Sequence, residues 1–301
     1  MSVVLSEHLP LLATAPDGIQ QLRGLIYEVA ARGLLVESDV DIPARSVKLG
    51  DVAEFVMGQA PPGSECNTEG VGTIFVKTGE FGEEFPVVRE WTTKPLKFAK
   101  LGDVLICVVG ATVGKLNLAI DCAIGRSVAA IRPSNGLDTR YLYSVLVPFT
   151  LRLRKQSRGS AQGVIGKSEL GQVIIRLPDL AEQHRIVAKV DELMALCDRL
   201  EAEQADADAA HAKLVETLLG TLTQSTDAAD LAANWQRLAE HFDTLFTTES
   251  SLDALKQTIL QLAVMGKLVP QDPKDEPTSE LLNRIAKERA RLEAEGICKK
   301  S

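Results

Sequence analysis

The sequence Val173-Ile-Ile-Arg-Leu-Pro-Asp-Leu-Ala-Glu-Gln-His-Arg-Ile-Val187 lies between two regions whose residue patterns differ. A β-branched run comes first, and Pro178 is expected to end that strand because proline cannot donate a ladder hydrogen bond. Glu182 and Gln183 then fall in the first turn of a helix, where an acidic side chain interacts favourably with the helix dipole. The stretch therefore predicts a β-rich region before it and a helical region after it.

Residues 44–180 have the pattern of a compact, mainly β domain. Short apolar runs rich in β-branched residues are separated by turns that contain Gly, Pro and Asn. The runs are Thr73–Val76, Val104–Val109, Val128–Ile131 and Val173–Ile175. A helical pattern near Asp138 to Lys155 is embedded among them.

After Ala181 the apolar residues alternate at spacings of four and three, as in a coiled coil, over roughly five heptads. This predicted seam consists of Ile186, Val190, Leu193, Cys197, Leu200, Leu214 and Leu218. A helix over 186–222 would be ~55 Å long, which favours a rod that holds two parts of an assembly apart. The core face of a local helix bundle is the commoner explanation of such a stripe.

These patterns predict an α+β protein with four parts. An N-terminal helical segment (1–43) precedes the β domain with its embedded helix (44–180), and a long coiled-coil-forming helix (181–224) and a small helical region (225–301) follow. Helices within the last region are expected near 228–246, 251–265 and 278–295.

The chain also contains an internal repeat. The segment Leu22–Asp39 recurs as Leu255–Asp272, with seven of eighteen positions identical. The identical positions include a helix-ending glycine (Gly33 and Gly266) and the Leu-Val-x-x-Asp sequence behind it. A unit that starts again at its own end is built to be followed by another copy, or to meet one on a second chain.

Charge is distributed unevenly. The formal net charge of −8 would argue against a nucleic-acid partner, but residues 44–180 hold 17 Lys and Arg against 13 Asp and Glu, and the remainder holds 16 against 28. The segment Thr139–Ser168 contains six bases and no acid. A polyanion would contact this stretch. On charge alone, an ordinary solvated surface explains it as well.

Composition argues against a disulfide-rich, metal-binding, membrane-spanning or secreted protein. The five cysteines are scattered without a C-x-x-C pair, so neither a disulfide framework nor a metal site is expected, and no motif calls for a cofactor. The longest apolar run, Val104–Val109, is far shorter than the ~20 residues of a membrane span. The N-terminus lacks the basic segment of a signal peptide, so we expect a cytoplasmic protein with no membrane partner.

Three motifs resemble the specificity subunit of type I restriction–modification systems. They are Gly110-Ala-Thr-Val-Gly114, Ser157-Arg-Gly-Ser-Ala-Gln-Gly-Val-Ile165 and Leu177-Pro-Asp-Leu-Ala-Glu-Gln-His-Arg-Ile-Val187. The tail Leu255–Asp272 resembles the helical conserved region of the same family. The resemblance covers Leu22 to Glu295, and its specific part is the Leu-Pro-x-Leu-x-Glu-Gln junction with Ser-x-Gly-Ser-x-Gln ahead of it.

The resemblance implies a non-catalytic subunit that binds double-stranded DNA and selects the site for methyltransferase (M) subunits and, through them, restriction (R) subunits. Members of the family carry two target-recognition domains, each reading one half of a split sequence. This chain departs from that pattern, with one such domain (44–180) and one long helix. It is either the amino-terminal half of a longer subunit or a half-subunit that forms a homodimer through antiparallel long helices.

The acid-free stretch supplies the candidate DNA contacts. Arg158 and Gln162 are expected to read base edges, because Arg suits guanine and Gln suits adenine. Their neighbours Gly159, Ser160 and Gly163 serve loop geometry that allows close approach to a groove.

The remaining candidate contacts are bases, which are expected to bind phosphates and so set the register of the protein on DNA. They are Arg152, Arg154 and Lys155 in the preceding helix, together with Lys167, Lys77 and Lys115. An ordinary surface base is the alternative for each of them.

Catalytic motifs are incomplete. The run Gly110-Ala-Thr-Val-Gly-Lys115 has three residues between its glycines where a phosphate loop has four, and Leu116 stands where Ser or Thr would bind magnesium. The four histidines lie far apart. The chain is therefore expected not to be an enzyme. The alternative to DNA recognition is a coiled-coil adaptor or regulator derived from such a subunit, whose β domain binds protein.

Overall fold

The computed structural model of this chain describes most of its residues. They are 17–37, 44–157, 164–269 and 276–295, with the side chains of 152–157 outside the description. The chain divides into two compact units between Gln204 and Ala205.

The first unit contains eleven strands among the residues described. They are β1 (Arg45–Lys48), β2 (Ala53–Met57), β3 (Cys66–Asn67), β4 (Thr73–Val76), β5 (Trp91–Thr92), β6 (Phe98–Ala99), β7 (Val104–Cys107), β8 (Leu116–Leu118), β9 (Cys122–Ile124), β10 (Val128–Pro133) and β11 (Ile174–Leu177). The helices that begin in this unit are α1 (Gly18–Ala31), α2 (Leu49–Val52), α3 (Thr139–Ser157), α4 (Lys167–Gly171) and α5 (Leu180–Gln224).

The strands form three small sheets. β1 pairs antiparallel with β11, with Arg45 opposite Leu177, which ties the start of the β-rich domain (44–180) to its end. A four-stranded antiparallel sheet has the order β2-β10-β7-β8. A five-stranded sheet has the order β3-β5-β4-β9-β6, in which β4 and β9 are parallel. Sheets with embedded helices confirm the predicted α+β class.

Helices α1 and α3 share a core with the four-stranded sheet. Leu22 and Ile26 of α1 are buried in one cluster with Leu146 and Tyr141 of α3 and with the inner face of the sheet. The Tyr141 hydroxyl donates a hydrogen bond of 2.6 Å to the carbonyl of Arg176. This bond joins α3 to β11, which lies immediately before the long helix.

The strand-to-helix boundary lies where the sequence predicts it. β11 ends at Leu177 and α5 begins at Leu180. Between them, a carboxylate oxygen of Asp179 accepts the backbone N–H of Glu182 at 2.8 Å, which caps the first turn. The side chain of Glu182 is only 1% exposed and pairs with Arg176 at 2.7 Å. Glu182 therefore interacts favourably with the dipole of α5 and also joins the start of this helix to β11 through Arg176.

Gln183 fixes the start of the long helix to the domain. It is fully buried, and its amide nitrogen donates to the carbonyls of Gly136 and Pro178, both at 2.8 Å. Its amide oxygen accepts the N–H of Asp138 at 2.8 Å. The Glu-Gln pair of the junction motif is thus structural.

α5 is one continuous helix of 45 residues, as the heptad pattern predicts. Its first turns pack inside their own unit, because Ile186, Val190 and Cys197 are buried in the core that contains α1. Leu193 and Leu200 lie partly buried against the same core. The first part of the predicted seam is therefore covered by this chain, without a second long helix.

The second unit is helical. After the end of α5 it contains α6 (Ala228–Glu240), α7 (Phe242–Leu245), α8 (Glu249–Val264) and α9 (Thr278–Ala294). Its core takes Val215 and Leu219 from α5, whereas Leu214 is 50% exposed and Leu218 is only partly buried. The buried stripe thus falls one residue later than the heptads predict, because a straight helix of 3.6 residues per turn drifts against a 3.5-residue repeat.

The two copies of the internal repeat end their helices in the same way. Gly33 and Gly266 have φ values of 70° and 67°. In each copy the glycine N–H donates to the carbonyl three residues earlier, at 2.9 and 3.0 Å, and the next N–H donates to the carbonyl five residues earlier, at 3.0 Å in both. This is the Schellman arrangement, which requires a left-handed residue and so favours glycine.

Candidate nucleic-acid interface

The predicted base-reading loop lies outside the described residues. This applies to Arg158 and Gln162 and to the loop residues Gly159, Ser160 and Gly163. The predicted phosphate contacts Arg152, Arg154 and Lys155 belong to α3, whose backbone is described to its end while these side chains are not.

The glycine-rich turn Gly110–Gly114 and its neighbour Val109 contact helix α3 and the chain that follows the loop. On one side, Val109 forms an isolated antiparallel bridge with Val164, the first described residue after the loop. On the other side, Gly114 approaches α3 so closely that a Cβ there would lie 3.2 Å from the Cβ and carbonyl oxygen of Thr150. The last two residues of the second motif, Val164 and Ile165, therefore lie beside the start of the first motif in the fold.

The three described lysine candidates differ in their surroundings. Lys167 is exposed at the first residue of α4. Lys115 is half-buried, and its ammonium group donates to the carbonyl of Phe81 at 2.6 Å. Lys77 forms an ion pair with Glu90, and this hydrogen-bonded pair raises the pKa of Lys77. The last two lysines thus already contribute to the stability of the fold.

Two arginines of the β-rich domain (44–180) likewise form ion pairs with acidic side chains. Arg132 makes a bidentate pair with Asp103, through Nε at 2.9 Å and Nη2 at 2.8 Å. Arg140, which belongs to the acid-free stretch in sequence, is 2.9 Å from Glu84 and 3.4 Å from Asp191. The fold therefore neutralises part of the excess positive charge of the stretch.

Three bases that the sequence analysis does not single out gather at one end of the five-stranded sheet. Lys97 directly precedes β6, and its carbonyl accepts the N–H of Ile124, the last residue of β9, at 2.9 Å. Arg126 follows β9 by two residues, and Arg89 precedes β5 by two residues. Because β5 and β6 run antiparallel to their neighbours β4 and β9, these positions share one end. We call Arg89, Lys97 and Arg126 the basic end.

The charges of the basic end are not neutralised within the described residues. All three side chains are exposed, and the described part of the chain places no acid within 4.0 Å of them. Glu90, which lies at the same end, is bound to Lys77. No local sequence signal could have found this group, because only the register of the sheet brings Arg89 and Arg126 together.

Over the described ranges, no group of three or more His, Cys, Asp or Glu side chains is placed to hold a metal ion. None of the helices described has the length and apolar character needed to cross a membrane.

The comparisons with known proteins agree with one another. The family model for the type I restriction modification DNA specificity domain matches residues 43–207. The chain is 64% identical over 126 residues to the EcoAI specificity subunit of Escherichia coli, which is 42% of this chain and 21% of that protein. It is 51% identical over 170 residues to the EcoEI specificity subunit of the same organism, which is 56% of this chain and 29% of that protein.

One solved structure, from work on complex assembly and conformational transition of the type I R-M system, matches with a TM-score of 0.53 and 34% identity. The match covers 66% of this chain and 53% of that one. The chain thus spans less than a third of the two curated relatives and about half of the solved one.

Proposed function

Since this chain belongs to the type I restriction–modification DNA specificity family, we propose that it is the sequence-reading part of such a subunit and performs no catalysis itself. It selects a DNA site for methyltransferase subunits and, through them, restriction subunits. The observation that carries the proposal is the family match over residues 43–207, which contain the whole recognition domain and the start of α5. The protein acts in the cytoplasm, where its DNA substrate is.

The proposed contacts divide by chemistry. Arg158 and Gln162 read base edges, because their guanidinium and amide groups form paired hydrogen bonds with guanine and adenine. The other proposed contacts bind phosphates, which fix the register of the protein. They are Arg152, Arg154, Lys155 and Lys167, with Lys77 and Lys115 secondary because each is engaged within the fold.

Binding to labelled duplex DNA over a range of salt concentrations tests the function. The protein is measured alone and with a methyltransferase subunit of the same class of system. DNA recognition predicts that log K falls linearly with log salt, with a slope of about −0.9 per phosphate contacted. Absence of duplex binding in both states would contradict the proposal and favour a protein-binding adaptor.

The base and phosphate roles have separate signatures. Arg158→Ala and Gln162→Ala should relax sequence preference, whereas Arg152→Ala and Arg154→Ala should weaken binding to all sequences evenly. The same loss of preference in all four variants would contradict the division of roles.

A second recognition domain is proposed to cover the C-terminal repeat copy. Leu35 and Val36 of the first copy pack against the core of their unit. Their equivalents Leu268 and Val269 are 46% and 73% exposed, and a Cβ at Gly266 would meet nothing within 4 Å. The C-terminal copy therefore repeats a surface that the first copy packs against its own unit, and the described residues leave this second surface uncovered.

A longer subunit or a second chain could supply that domain, and the mass in solution distinguishes the two. A homodimer, joined through antiparallel long helices, predicts twice the 32.5 kDa of the chain. A particle of 32.5 kDa at micromolar concentration would contradict the homodimer.

A further inference from the structure

We propose, resting on the DNA-recognition function above, that the basic end of the five-stranded sheet is a second phosphate-contacting surface. Arg89, Lys97 and Arg126 bind the DNA backbone there. This surface is separate in sequence from the acid-free stretch of residues 139–168, and it is formed only by folding.

Sheet topology fixes the geometry of the surface. β9 is hydrogen-bonded between β4 and β6, so the residues just after β4 and β9 and just before β6 are neighbours. The N–H of Gly125 donates to the carbonyl of Val76 at 2.9 Å, and a Cβ at Gly125 would lie 3.1 Å from Cγ of Lys77. Arg126 therefore leaves a tight turn that has Lys77 on one side and Lys97 on the other.

The charge balance at this end favours an anion. Lys77 and Glu90 neutralise each other, which leaves the three exposed bases of the basic end without an ionic partner in the described chain. An anionic ligand that spans this row of bases would supply the counter-charge that the described chain does not. Arg carries several N–H donors in a planar fork that matches phosphate oxygens.

The shape also suits a backbone contact. The bases come from three different strand ends of one sheet, so hydrogen bonds of the backbone hold their spacing. A rigid row of cations matches a rigid polyanion better than cations on independent loops, because less conformational freedom is lost on binding.

The test compares the triple variant Arg89→Ala/Lys97→Ala/Arg126→Ala with Lys100→Ala in duplex titrations at several salt concentrations. Lys100 is a matched control, because it is exposed and without an ion pair in the described chain but follows β6 at the opposite end of the sheet. Thermal unfolding of each variant checks that the fold is retained.

For each phosphate contact removed, the slope of log K against log salt concentration is expected to become shallower by about 0.9. The affinity at 0.1 M salt should fall about eightfold per contact. Lys100→Ala should stay within twofold of the unchanged protein. A triple variant with unchanged affinity and slope, while the unchanged protein binds DNA, overturns this inference and leaves the proposed function standing. Absence of binding by the unchanged protein, both alone and with a methyltransferase subunit, overturns both.

Discussion

The guanidinium group of Arg176 lies directly against Gly33, so close that a Cβ on the glycine would be 2.5 Å from Cζ and Nη1. Gly33 ends α1 with a left-handed φ of 70°. Arg176 is at the same time 2.7 Å from the buried carboxylate of Glu182. The contact therefore locks together the N-terminal helix, the last strand of the recognition domain and the start of the long helix.

The two repeat glycines offer a matched pair of substitutions. Gly266→Ala should cost about 1–2 kcal/mol of unfolding free energy, because alanine is strained at positive φ. Gly33→Ala should cost more, since its methyl group must also move the guanidinium group of Arg176, which is paired with the buried carboxylate of Glu182. Urea unfolding measures both. Equal losses would show that the Arg176 contact contributes nothing.

The Arg132–Asp103 pair should stabilise the recognition domain. The carboxylate of Asp103 is only 2% exposed, so Arg132→Met leaves a buried charge and should cost about 3 kcal/mol. Arg140→Met is the control, because Arg140 and its partner Glu84 are nearly half exposed and such pairs contribute at most about 1 kcal/mol. Calorimetry measures the unfolding free energy of both variants. A loss for Arg140→Met as large as that for Arg132→Met would contradict the stabilising role of the Arg132–Asp103 pair.

Thiol reactivity should follow burial. Desolvation raises the pKa of Cys122 to about 12, and burial also raises the pKa of Cys197. Since the thiolate is the reactive form, both should resist maleimide at neutral pH, whereas Cys66 is partly exposed and should react before either of them. Peptide mapping after a short incubation with maleimide measures the extent of modification at each cysteine. Modification of Cys122 at the rate of Cys66 would show that the strand carrying it opens readily.

Much of the fold could be predicted from the sequence where the pattern is long or strongly local. β4 occupies the predicted residues Thr73–Val76, and α3 and α5 lie where their apolar periods place them. The end of α1 at Gly33 could also be predicted, because a glycine directly after an apolar helical stripe commonly ends a helix in the left-handed conformation.

The rest depends on contacts between distant residues. Strands of two or three residues, such as β3, β5 and β6, are too short to show an alternating pattern. The basic end exists only through the pairing of such strands. Leu214 is half exposed, beside the stripe that packs on the core of the second unit, because heptad spacing takes no account of the drift of a straight helix.

Enrichment of sequences from a library of random duplexes tests sequence reading most directly. The protein is incubated with the library, alone and with a methyltransferase subunit, and the bound duplexes are sequenced. We expect one short motif, or a split pair of motifs, whose enrichment falls when Arg158 or Gln162 is replaced. Recovery of duplexes without any common sequence would contradict it.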